Sequence, residues 1–264
     1  PWERIKVQER EWFAAHRPDI SNAVNATERK RKIQTLKTED PYLYLQFTKR
    51  CRQSDGESHF IHQTGKYPLC GRGDINTFAV FAEINRLLLQ PNGRLGCIVP
   101  SSMATADTTK YFFQDLMASK TLVSYYDFEN RAKLFFPAVD SRMRFALMTL
   151  SGSQQPVEQA DFVFFAHRIE DLAQSDRHIH LTLDDINLLN PSTKTCPTFR
   201  SQREFDITRQ VYQTIPVLGQ SEHQGDRWQL RINQGLFSQT ADIGLLQPAT
   251  AIDSDQTDLI RCYE

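Results

Sequence analysis

Apolar residues in the opening third of the chain are spaced for helices. Ile5, Val7, Trp12 and Phe13 give residues 1–17 a partial apolar stripe among charges, which predicts a turn and then a charged helix. Asn25 and Thr27 suit the cap of a second helix running through Leu36. Asp40-Pro41 opens a third, with Tyr42, Leu45 and Phe47 on its apolar side, ending near Ser54-Asp55-Gly56. The stretch YPLCGRGDIN at residues 67–76 is turn chemistry. In INTFAVFAEINRLLL, Ile75, Phe78, Phe81, Ala82, Leu88 and Leu89 fall near helical period.

The pattern then changes. RLGCIVP is a short apolar run between turn residues and predicts a buried strand, with Cys97 in the core. A helix carrying Phe112, Phe113, Leu116 and Met117 on one side follows. TLVSYYDFEN and RFALMTLSG predict two more strands, antiparallel because only the loop NRAKLFFPAVDS joins them. This alternation predicts an α/β sheet covered on both faces. After Gly152 the composition shifts to SGSQQPVEQ, then a strand-like DFVFFAH, a short helix, HLTLDDINLLNP, and a helix over residues 205–212. From about Ile215 the sequence reads as irregular and polar, with Trp228 and Phe237. The division this suggests is residues 1–152 and residues 153–264.

Composition narrows the class. The 264 residues are 40% hydrophobic and 24% charged, enough for a sizeable core. The net charge of -1 gives no global attraction to nucleic acid or membrane, yet ERKRK at residues 28–32 and KRCR at 49–52 are locally basic. A solvated helix face is the ordinary reading of each cluster. The five cysteines lack metal-ligand or redox spacing, which fits a reducing cytoplasm and argues against both a disulfide scaffold and a metal site. No run reaches the roughly 18–20 apolar residues of a membrane span. The start at Pro1-Trp2 and the close at LIRCYE read as cuts in a longer protein.

Singly, each motif has a bland explanation: a surface turn at Pro1-Trp2, a structural glycine turn at GRGD, an aromatic turn at FFPAVDS. Their order is more informative. PWE, then GRGDINTFAVFAEINRLLLQPNGRLGCIVPSSMATADTTKYFFQDL, then LVSYYDFENRAKLFFPAVDSRMRFALMTL together resemble the adenine-N6 DNA methyltransferases of the Eco57I-like restriction-modification and phage-defence family. The resemblance covers residues 1 to about 150 and continues through NPSTKTCPTFRSQREFDITRQVYQTIPVL.

The resemblance implies a fold and a chemistry. The fold is the C-terminal half of a Rossmann-like methyltransferase sheet, with a smaller α+β extension leading toward target recognition. Such enzymes flip an adenine out of duplex DNA, at a cost of a few kcal/mol, and restore its stacking on aromatic rings, worth about 1–3 kcal/mol per base. Pro1 and Trp2 match the last two residues of the family's catalytic Asn-Pro-Pro-aromatic tetrapeptide, with Trp2 on one face of the base. The asparagine and first proline would precede Pro1. Phe136, beside Pro137, matches the aromatic on the other face, with Phe135 the alternative. Asp74, Asn76 and Phe78 match a segment walling the methionine end of S-adenosylmethionine. The family's glycine-rich cofactor turn and its acidic partner are not among these residues, so this chain alone is expected neither to bind the cofactor tightly nor to transfer methyl groups. Double-stranded DNA is the implied partner, with a nuclease, fused or separate, a second one. Arg29, Lys30, Arg31, Lys49, Arg50, Arg52, Arg142 and Arg144 are candidates to track phosphates. The rival reading is a non-catalytic DNA-binding or assembly module that keeps the sheet.

Overall fold

A computed structural model describes residues 2–215 and, beyond them, Gly235 alone. The chain begins with an extended segment and a group of helices. α1 (Glu9–His16) carries Glu9 and Glu11 in its first turn, where the helix dipole favours them. α2 (Pro18–Ser21) has Pro at its first position. α3 (Ala26–Glu39) is capped by Asn25, whose side chain accepts from the Glu28 amide at 2.8 Å. α4 (Pro41–Gln63) starts at Asp40, which accepts from the Leu43 amide at 3.0 Å. Phe13, Ile20, Ile33, Leu36 and Phe47 bury one another between these helices.

The sequence places the end of α4 near Gly56, but the helix continues seven residues to Gln63. An internal glycine costs only about 1 kcal/mol against alanine. Packing on both sides of it outweighs that: the Ser54 hydroxyl donates to the Ile5 carbonyl at 2.7 Å, and Ile61 packs against Ile5, Ile75 and Val80.

α5 (Thr77–Leu87) leads through the turn at Pro91 into β1 (Arg94–Pro100). α6 (Ser102–Thr105) and α7 (Lys110–Ala118) then cross to β2 (Leu122–Glu129), and β3 (Arg144–Ser151) returns alongside it. β4 (Ala160–Ala166), β5 (Ile179–Leu181), α8 (Leu183–Leu189) and α9 (Gln202–Thr214) complete the described chain. The five strands form one mixed sheet in the order β1-β3-β2-β4-β5. β3 is antiparallel to both neighbours, as the short loop between β2 and β3 predicts, and β2 runs parallel to β4. The boundary read at residue 152 falls between β3 and β4 of this single sheet.

The two faces of the sheet are covered differently. Tyr125, Ala146, Met148, Leu150, Phe162 and Phe164 face a core shared with Phe112, Phe113, Leu116, Ile186 and Phe205 from the helices. Phe128, Phe145, Val163 and Ala166 form a smaller cluster on which Trp2, Phe135, Phe136 and Leu172 lie. Helices therefore cover the first face, while the second is capped by the initial segment and the loop after β2.

Three further expectations need correction. β1 is an edge strand among the described residues, with exposure alternating along it and Ile98 49% exposed. Cys97 is accordingly half-buried. Phe81 and Leu88 project to solvent at 47% and 76% exposure, because α5 packs through Ala79, Val80, Ala82 and Glu83. Glu83 is buried because its carboxylate accepts from the Leu69 and Cys70 amides, at 3.1 and 2.8 Å, and so fixes the glycine turn. That turn also needs Gly71, where a Cβ would stand 2.6 Å from the Tyr67 carbonyl oxygen.

Candidate functional site

Backbone pairing fixes Trp2 beside the start of α5. The Thr77 amide donates to the Glu3 carbonyl at 2.9 Å and the Ile5 amide to the Ile75 carbonyl at 3.3 Å. The Glu3 amide donates to Thr77 Oγ1 at 3.0 Å, and the Asn76 side-chain amide reaches the Trp2 carbonyl at 3.5 Å. Asn76 also caps α5, its Oδ1 accepting from the Phe78 amide at 3.3 Å.

The facing wall comes from the loop after β2. Asn130 is buried where β2 ends. Its Nδ2 donates to the Phe136 carbonyl at 2.9 Å and its Oδ1 accepts from the Phe136 amide at 3.2 Å. This two-way clamp works as a surrogate backbone pair and holds the turn over the sheet. The Phe136 ring rests edge-on against Phe145, centroids 5.0 Å apart. Trp2 and Phe136 line one pocket of about 370 Å³, together with Ile98, Asn130, Met143 and Phe145. Its walls are largely apolar and its volume falls within the roughly 300–1,000 Å³ of small-molecule sites.

One charged network borders the pocket. Arg144 lines it and binds the buried Asp127 carboxylate, which also accepts from Ser101 Oγ and, at 3.1 Å, from the Phe165 amide. The Arg144 guanidinium lies 4.6 Å from the Phe165 ring centroid. Phe165 itself sits at φ +56°, a left-handed conformation unusual for an aromatic residue.

The remaining predicted residues are distributed as follows. Phe135 packs edge-on against Phe128 and Phe145, both at 5.2 Å, and does not line the pocket. Pro137 is exposed beyond it. Asp74 is exposed, Asn76 caps α5, and Phe78 packs on the main core. Arg29 pairs with Glu9 at 3.3 Å. Arg142 pairs with Asp140 at 2.7 Å, and that hydrogen bond holds the Asp140 carboxyl below the usual carboxylate range. Lys30 and Arg31 are exposed on α3. Pro1 lies outside the described residues, as do Trp228 and Phe237. Among the described residues no helix is long and apolar enough to cross a membrane.

No protein-family model matches the chain, and no curated protein matches it. Among solved structures, the chain is similar to the type IIG restriction endonuclease BpuSI. The match has 16% identity and a TM-score of 0.32, and covers 43% of this chain and 12% of that one. A likeness of that size fixes neither fold nor function.

Sequence reasoning missed Asn130, Met143 and Ile98 as pocket residues. Asn130 had only a weak signal, an amide side chain where a strand ends, which calls for a partner once buried. Met143 and Ile98 had none, since pocket membership depends on how β1 and β3 pair.

Proposed function

We propose that this chain supplies the base-holding part of a site-specific DNA methyltransferase acting on adenine N6, within a restriction-modification or phage-defence protein. The observation that carries the reading is that Trp2 and Phe136, which lie 134 residues apart in sequence, line the same apolar pocket. The family resemblance implies two aromatic walls at these positions, and an extrahelical purine needs such walls to replace its lost stacking. The sheet fits the C-terminal half of a Rossmann-like methyltransferase, with its antiparallel β3 inserted between the parallel β1 and β2.

The test is a competition between duplexes. One carries adenine opposite an abasic site; the others carry cytosine there or are fully paired. The wild-type chain is expected to prefer the extrahelical adenine. Stacking of about 1–3 kcal/mol per base corresponds to roughly 5- to 150-fold. Trp2→Leu and Phe136→Leu should each remove most of that preference. Equal binding of all three duplexes by the wild type would overturn the base pocket and favour a DNA-binding module without base flipping.

A further inference from the structure

We propose that the groove beside the base pocket, lined by Arg4, Lys6 and Arg50, is a phosphate-binding channel for the DNA strand that bears the extrahelical base. The inference rests on the base-pocket reading and extends it to how the strand leaves the pocket. The groove has a volume of about 790 Å³ and shares Trp2 and Met143 with the base pocket, so the two cavities meet at the indole. A nucleotide whose base lies against Trp2 must carry its phosphodiesters along an adjoining surface. This groove adjoins and is polar where the base pocket is apolar.

The groove is built by fixed backbone. Arg4 bridges Asn76 in antiparallel fashion, and the Ile5 and Thr77 amides complete that pairing. Ile5 is buried between Arg4 and Lys6, so these two basic residues flank an anchored position. The Ile5 carbonyl accepts from Ser54 Oγ at 2.7 Å. That bond ties the segment to α4 one turn after Arg50, and so holds all three cations on one groove.

Their charges are also less committed than those of three other basic candidates. Arg29, Arg142 and Arg144 each have a carboxylate partner within 3.3 Å. Arg4 and Lys6 have no carboxylate within ion-pair distance among the described residues, and Arg50 reaches Glu57 only at 3.9 Å. Glu3 and Glu11 also line the groove and temper its potential. Neutralising one of them is therefore expected to strengthen binding, which distinguishes this groove from a general basic surface.

Affinity of the 264-residue chain for a labelled 20-base-pair duplex carrying the extrahelical adenine is read by anisotropy across 50–300 mM NaCl. Each phosphate contact contributes about 0.9 to the log–log salt slope. The triple variant R4Q/K6Q/R50Q should lower the slope by about 2–3 and weaken low-salt binding at least tenfold. Glu11→Gln should tighten it severalfold, and Lys66→Gln, remote from the lining, should match wild type. A triple variant with an unchanged slope overturns the channel. Should circular dichroism show that variant misfolded, Lys6→Gln alone decides, with a fall of about 1 expected and no change overturning the channel. A flattened slope in a protein that shows no preference for extrahelical adenine keeps the channel and sinks the base pocket.

Discussion

Asn130 shows how much a single buried side chain can decide. It satisfies both backbone groups of Phe136, whose carbonyl also accepts from the Val139 amide at 3.1 Å and whose ring rests on Phe145. Replacing it with alanine leaves a donor and an acceptor with reduced partners, at about 1–3 kcal/mol. Asn130→Asp should do no better, because the lost amide donor faced a carbonyl that a carboxylate would repel. Urea unfolding should show both variants destabilised by similar amounts; an Asp variant as stable as wild type would mean the clamp is not the support. The aromatic residues of the pocket were legible in the sequence because rings next to proline at Pro1-Trp2 and in the FFP turn are conspicuous. The clamp was less so, since an asparagine at a strand end is ordinary until its partner is known. Arg4 and Lys6 stand apart from the denser basic clusters on α3 and α4, and charge density along the chain says nothing about which cations share a groove.

At the scale of elements, the helices and three strands of the first half follow from periodicity and caps. The failures occur where tertiary contact overrides a local signal, as at Gly56 inside α4 and at Phe81 on the outer side of α5. The junction of β4, β5 and the segment before β5 depends on a contact no periodicity reveals. His178 Nδ1 lies 2.8 Å from the Asp161 carboxylate, and its Nε2 lies 2.8 Å from the Leu172 carbonyl. Both ring nitrogens face acceptors, an arrangement only the doubly protonated imidazolium satisfies. Burial opposes that charge, but the Leu172 carbonyl and Asp161 outweigh it, and the His178 pKa is raised. Tyr126 also donates to Asp161, at 2.7 Å, and burial with that carboxylate pushes its pKa up to about 12, so it stays protonated throughout. With the folded pKa above the unfolded one, the stabilisation is full below the unfolded value, near 6.5, and is lost as pH rises through the folded value. The unfolding midpoint should therefore fall as pH rises above about 6.5, and His178→Gln should flatten that dependence. His180→Gln, run in parallel, separates the neighbouring imidazole 4.0 Å from Asp161; a profile that His178→Gln leaves unchanged would rule out the clamp.

The whole molecule is organised around a sheet whose strand order was not legible, because only the β2–β3 loop constrained neighbours directly. That order brings Ser101, Asp127, Arg144 and Phe165 to one end of four adjacent strands, although up to 64 residues of sequence separate them. Asp127 is 1% exposed and makes sense only as the common acceptor of this group. It receives the Phe165 amide while Arg177 donates at 3.0 Å to the Phe165 carbonyl, so the left-handed Phe165 is held from both sides. Arg144, expected from sequence to track phosphates, is bound here to Asp127 at the margin of the base pocket. Removing Arg144 alone, as Arg144→Met, leaves Asp127 buried without its cation and should cost about 3–5 kcal/mol. Asp127→Leu strands the guanidinium, the serine and the Phe165 amide, and should also be severe. The double variant removes the charge mismatch. It should be less destabilised than the sum of the two singles, with a coupling of roughly 1–3 kcal/mol in a thermodynamic cycle measured by denaturant unfolding. Strict additivity would mean that the two charges do not hold the four strands together through each other. The pocket would then owe its shape to the Asn130 clamp and the edge-on contact of Phe136 with Phe145.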